Sequence, residues 1–191
     1  MIDRLKQFGL HAAPLWLMGC SGDPSVTEQQ PPLSHDAGAQ EQRMPEYTVD
    51  GALVRVKDWA DWTFLGSSIN LSYSEVPPQS DLLATVFMEP TAFARFQATG
   101  EFREGTMTAL AVYEVKTDAP PARSGQFAGD FSEFEMSVKD SSRQPATKWA
   151  YFAFGRDGRT AQAMPAASCF GCHDANAETD HVFTQFYPRI P

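Results

Sequence analysis

Cys169, Cys172 and His173 stand together in the stretch CFGCH, near the end of a 191-residue chain. Two thiols three positions apart, followed at once by an imidazole, admit three chemistries: covalent attachment of a haem, a tetrahedral zinc ion, or a dithiol–disulfide couple. C-x-x-C-H is the spacing of haem attachment. Thiols so placed can reach two vinyl groups on neighbouring edges of one porphyrin, and the adjacent histidine then offers an imidazole nitrogen to the iron. A zinc set would have to add His181 to these three residues. Zinc ligands usually come as spaced pairs, and adjacent Cys172 and His173 suit one tetrahedral ion poorly. A redox dithiol belongs at a helix start after an early strand, not near the chain end. The spacing therefore favours one haem c, covalent through Cys169 and Cys172, with His173 as the iron ligand.

The remaining cysteine strengthens that reading. The chain has three cysteines, and the third, Cys20, ends the stretch LMGC, which looks like a bacterial lipobox. Ahead of it, MIDRLKQ carries Arg4 and Lys6, and FGLHAAPLWLM is apolar but far shorter than the roughly 20 residues that span a bilayer. A charged start, a short apolar core and a small-residue cleavage site describe an export signal over residues 1–20, although His11 and Pro14 interrupt it. An ordinary hydrophobic tail is the alternative. Lipidation at Cys20 would place the protein in the periplasm or outer membrane of a bacterium, touching the membrane only through its lipid anchor. Both cysteines left in the mature chain then lie in one site.

The elements that must position this site begin further along. Residues 21–46 contain only Val26, Leu33 and Met44 as large apolar side chains, too few to offset the entropy of ordering them. They read as a disordered tether, with His35 solvated in it, leaving a domain over residues 47–191. VKDWADWTFLG predicts a short helix led by Asp58 and then a strand into FLGSSINLSYS. SEVPPQSD is a loop, since Pro77 and Pro78 exclude helix and ladder alike. LLATVFM is a strand. In EPTAFARFQATG, Pro90 suits a first helical turn and Gly100 the residue past the end, with Phe93 and Phe96 on one face. GTMTALAVYEV, FSEFEMSVKD and WAYFAFG complete about five strands. The expected architecture is α+β and β-rich: an antiparallel sheet with one interior helix and a C-terminal segment carrying the site. A formal net charge of −9 and the lack of any lysine or arginine run exclude a nucleic-acid partner.

The order of WTFLGSS, ATGEFREGTM, SVKDSSR, WAYFAFG and CFGCHDANAETDHVFTQFYP resembles the cytochrome P-460 family, which includes the cytochromes c′-beta. The resemblance spans most of residues 55–188. It implies a β-rich homodimer with one covalent haem per subunit, five-coordinate at rest. In the catalytic members a lysine of the strand after the GT pair cross-links to the porphyrin, and these proteins oxidise hydroxylamine. Leu110 stands at that place, and residues 106–114 contain no lysine. Ala84 stands where the catalytic members carry an arginine, while Glu135 matches an acidic pocket residue of those members. If Leu110 faces the haem, Thr106, Thr108 and Val112 share its side of the strand.

The resemblance therefore implies a c′-beta-like protein that binds a small gaseous ligand, nitric oxide or carbon monoxide, in nitrosative stress handling. Hydroxylamine or N-oxide oxidation is the alternative, with Glu135 as a distal acid and electrons leaving to a partner cytochrome. A simple electron carrier is the third reading, disfavoured because no sixth iron ligand stands out. His181 follows His173 too closely to reach the opposite haem face and reads as a surface residue. Met88, Met107 and Met136 are candidates for strand positions near the pocket or for core filler. Lys139, in SVKD, is the fallback donor for a cross-link.

Overall fold

Period-two alternation along one strand sets the plan of the molecule. In the computed structural model, which describes residues 42–72 and 81–190, Met107, Ala109 and Ala111 have no solvent exposure. Thr108, Leu110 and Val112, between them, face the other way and are only half-buried. The strand thus divides two environments. The export signal with Cys20, nearly all of the tether and most of the loop SEVPPQSD lie outside the described residues.

Strands β2 (Thr63–Ile69), β3 (Leu82–Met88), β4 (Met107–Lys116), β5 (Phe127–Lys139) and β6 (Trp149–Gly155) form an antiparallel meander in sequence order. The two-residue strands β1 (Leu53–Val54) and β7 (Thr160–Ala161) pair apart from it. They were not anticipated, because two residues carry no periodicity to read. On the first face of the large sheet, Met107, Ala109, Phe134, Val138 and Phe152 pack beneath Leu53, Val56 and Trp62. The helix expected after Asp58 is a single 3-10 turn, Trp59–Asp61. Asp58 makes no side-chain cap there and is paired instead with Arg43, so nothing satisfies the amides a longer helix would expose.

On the second face lies α1 (Pro90–Thr99), with the expected proline in its first turn and Gly100 closing it at φ 71°. The N-cap is Glu89, whose carboxylate accepts from the Ala92 amide at 2.7 Å. This cap was hidden in the sequence because glutamate is not among the usual capping residues. Phe93 and Phe96 are both buried, and Phe96 stacks on Phe102 at 4.1 Å between ring centroids. Trp149 meets Phe102 edge-on, which joins helix and sheet. The fold is the expected β-rich α+β arrangement around a five-stranded antiparallel sheet.

The chain after β7 returns to this second face. The Met164 amide donates to the Tyr151 carbonyl at 2.8 Å, and a second helix, α2 (Phe170–Asn176), follows. Where residues 186 and 187 cross β2, Gly66 leaves room for them: a Cβ at that position would lie 3.3 Å from the Phe186 carbonyl oxygen. Sheet and returning segment therefore face each other across a gap.

Candidate functional site

That gap is a cavity of about 350 Å³, within the roughly 300–1,000 Å³ usual for small-ligand sites. Its sheet wall follows from register. Ala84 pairs with Val112 and Val86 with Leu110 across β3 and β4, and Leu110 pairs with Glu135 across β4 and β5. All five side chains share one pleat face, and all five residues line the cavity. Thr108 also lines it, its hydroxyl 2.5 Å from that of Ser137. Thr106, expected on the same side, is buried ahead of the strand and donates its hydroxyl to the Arg103 carbonyl. Strand alternation does not extend to it because β4 begins at Met107.

The opposite wall carries the motif. Cys169 and His173 line the cavity, together with Met164, Phe183, Phe186 and Tyr187. Cys169 is the N-cap of α2 and His173 lies one turn on. Cys172 is on the same helix but outside the cavity lining. Burial, and then the charges of Glu135 and Cys172, push the Cys169 thiol above its ordinary pKa. A reactive dithiol needs the reverse, a thiol pKa lowered by positive surroundings. Among the described residues, no three of His, Cys, Asp and Glu gather as a group that could hold a metal ion.

His173 is held on three sides. Its ring packs between Tyr151 and Phe183, at 4.5 and 4.6 Å between centroids. Nδ1 lies 2.7 Å from the carbonyl oxygen of His181. A carbonyl can only accept, so Nδ1 carries the hydrogen and Nε2 keeps its lone pair. Burial chiefly, with the neighbouring His181 charge adding to it, lowers the His173 pKa despite that hydrogen bond. The ring thus favours its neutral form more than a free imidazole does and has one nitrogen committed to the backbone, the arrangement metal-binding histidines use. This role for His181 was not legible, since it works through its carbonyl and not its side chain. The His181 ring itself is half-buried against Phe170, with Nδ1 3.5 Å from Asp174 Oδ1.

Glu135 and Tyr151 add two further polar groups to a lining that already holds the hydroxyls of Thr108 and Ser137. Glu135 is pushed above its ordinary pKa by burial first and by Glu133 second, so it holds a proton more readily than an exposed glutamate. The buried Tyr151 hydroxyl has no hydrogen-bond partner among the described residues. Tyr151 is 8% exposed and lines the cavity. An orphaned hydroxyl in an apolar slot fits a bound group that is mostly flat and apolar but carries polar substituents, as haem does. The donor set fits as well: one neutral imidazole nitrogen and a cysteine on the same wall.

The methionines sort differently. Met88 and Met107 are fully buried in the two cores, while Met136 is 2% exposed and reaches the cavity lining. Met164, which the sequence did not single out, lies 3.6 Å from the Cys169 sulfur. Lys139 is outside the cavity lining. Its ammonium group donates to the Asp180 carboxylate at 2.6 Å and to the Phe102 carbonyl at 2.7 Å.

Against known proteins, the family model described as Cytochrome P460 matches residues 56–184, which takes in the five-stranded sheet, α1, α2 and the cavity lining as far as Phe183. No curated protein matches the chain.

Proposed function

This chain belongs to the cytochrome P460 family, and from that premise we propose that it is a c-type haem protein that binds a small diatomic ligand at five-coordinate iron. The ligand is nitric oxide or carbon monoxide, taken up in the manner of the cytochromes c′-beta. The role is nitrosative stress handling outside the cytoplasm, with the protein anchored through lipid on Cys20. The observation that carries this reading is the aliphatic side chain of Leu110 in the same cavity wall as Ala84 and Val86, across from His173 and Cys169.

In this proposal Cys169 and Cys172 would hold the haem through thioethers and His173 Nε2 would ligate its iron. The bound group would supply an iron centre able to take a small ligand. The protein's share is to fix the imidazole, exclude water and present an apolar wall. Leu110 has no amine to cross-link, and the aliphatic side chains of Ala84, Val86, Leu110 and Val112 offer no hydrogen bond to favour dioxygen over ligands that need no such help. Exposed Phe64 and Ile69 on the edge strand β2 support a homodimer, since a second copy would cover them.

A second reading is oxidation of hydroxylamine or another N-oxide, with electrons passed to a partner cytochrome. Glu135 favours it, as a half-buried cavity carboxyl of raised pKa able to hold a proton beside a substrate. Optical spectra of the oxidised and reduced holoprotein, with and without carbon monoxide, separate these readings from a plain electron carrier. A high-spin ferrous form that takes up carbon monoxide and nitric oxide rapidly is the expected result. A low-spin ferrous spectrum with slow uptake would overturn five-coordination. Rapid turnover of hydroxylamine would promote the second reading.

A further inference from the structure

The His181 carbonyl that takes the His173 hydrogen sits in an unusual turn. Val182 N donates to Thr179 O at 2.8 Å, closing a two-residue reversal. Both central residues are left-handed, Asp180 at φ 44° and His181 at φ 62°. Turns of this kind favour Asn-Gly, because most side chains resist that backbone region. Asp and His tolerate it better than most but do not prefer it. The conformation therefore persists only if something outside the turn holds it.

Lys139 is the group in place to do so. It ends β5, on the same pleat face as Glu135 and Ser137. Its ammonium bridges the Asp180 carboxylate and the Phe102 carbonyl, tying the turn to the sheet and to the segment after α1. The Lys139 and Asp180 side chains are 15% and 29% exposed, so water screens the pair little. We propose that the Lys139–Asp180 ion pair is a positioning device for the axial imidazole: it fixes the turn whose carbonyl orients His173 and draws on its Nδ1 hydrogen. This rests on the reading that His173 ligates the haem iron.

A backbone carbonyl held at 2.7 Å makes the imidazole a stronger donor, and a carbonyl free to drift does so less. Releasing the turn should therefore weaken the iron–nitrogen bond and favour the ferrous state.

The test uses the haem-loaded full chain and the double variant Lys139→Met/Asp180→Asn, which leaves the net charge unchanged. Asparagine also accepts the left-handed backbone, so the turn sequence itself is not disfavoured. Expected are a shift of the iron–histidine stretching band to lower frequency, a rise in reduction potential, and wild-type values in Lys139→Arg. Asp180→Asn alone, which leaves the part-buried Lys139 ammonium without its counter-charge, should move the iron–histidine band in the same direction if the double variant cannot be purified. A lower melting temperature with an unmoved band and potential would mean the pair is merely structural and would overturn the proposal. His173→Ala is the control for the underlying reading. If that variant keeps the iron–nitrogen band, axial ligation has failed; if it loses the band while the ion-pair variants keep theirs, only the positioning role has failed.

Discussion

Leu110 and Glu135 stand directly opposite each other in the β4–β5 ladder, and both line the cavity. Opposed side chains on one pleat face are in contact range. The site where a cross-linking amine would arise thus faces a carboxylate whose pKa burial has raised. An amine introduced there would share the proton with that carboxyl, each group favouring the other's charged form.

Leu110→Lys is accordingly expected to fold, though with a loss below the ~1.5–3 kcal/mol that a fully buried leucine contributes, since Leu110 is half-buried. Removing the partner as well, in Leu110→Lys/Glu135→Gln, should cost up to a further ~1 kcal/mol, the upper range for an incompletely buried pair. Denaturant unfolding of the variants measures both. Equal stabilities for the single and double variants would mean that the new ammonium points away from Glu135.

The wild-type haem peptide should weigh as peptide plus one haem, with no bond to a second segment. Leu110 has no nucleophile, and the Lys139 ammonium is already engaged by Asp180 and Phe102. A tryptic map that joins haem to any lysine-containing peptide would overturn this and favour the oxidase reading. Hydroxylamine should be oxidised slowly or not at all by the protein without such a bond.

If the proposed thioethers at Cys169 and Cys172 hold the haem, replacing His173 by alanine should leave it on the chain, because those bonds would not depend on the imidazole. Denatured, acid-acetone-extracted protein should still stain for haem, while the native spectrum loses its axial-nitrogen signature. Haem released into the extract by the wild-type protein would sink covalent attachment.

What the sequence made legible follows from what side chains report. The alternation from Thr106 to Val112 put Thr108, Leu110 and Val112 on one side, as the strand has them, because a period of two leaves little choice once one residue is assigned; it failed at Thr106, which lies ahead of the strand. Pro90 and Gly100 bounded α1 because both act through backbone geometry at element ends. The proximal support was not legible, since it depends on the His181 carbonyl, a left-handed turn and an ion pair from distant Lys139. Tyr151 was missed for a related reason: in WAYFAFG both faces of the strand are apolar, and alternation cannot tell which one holds the site.

Two glycines should respond oppositely to alanine. At Gly66 a Cβ would press on the Phe186 carbonyl and the Tyr187 ring, both at 3.3 Å, where the returning segment closes the cavity. Gly66→Ala should cost ~1–3 kcal/mol, as overpacking does. At Gly171, inside α2, a Cβ meets nothing within 4 Å, and alanine should stabilise the helix by ~0.5–1 kcal/mol. Thermal unfolding of both variants settles the comparison, and a destabilised Gly171→Ala would show that the exposed face of α2 is covered in the holoprotein.

The last prediction concerns Asp140, which fastens the amino-terminal end of the domain to the loop after β5. Its carboxylate accepts from the Tyr47 hydroxyl at 3.0 Å, the Ser142 hydroxyl at 2.6 Å and the Arg143 amide at 3.0 Å. The Arg143 guanidinium lies 4.0 Å over the Tyr47 ring. Burial pushes the Asp140 pKa up, but those hydrogen bonds and the Arg143 charge outweigh it, and the net value falls below the ordinary 3.8. A carboxyl depressed in the folded state adds stability above its unfolded pKa and loses it as pH falls through the folded value. Asp140→Asn should therefore destabilise the protein at neutral pH by ~1.5–3 kcal/mol, the range for hydrogen bonds to a charged group. The difference from wild type should shrink as pH drops below about 4. Tyr47→Phe, which removes one of the donors to the charged carboxylate, should cost up to ~1.5–3 kcal/mol. Urea unfolding of the three proteins between pH 3 and pH 7 reads all of this, and a gap between wild type and Asp140→Asn that stays constant across that range would show that packing, not the ionised carboxylate, holds the amino-terminal end in place.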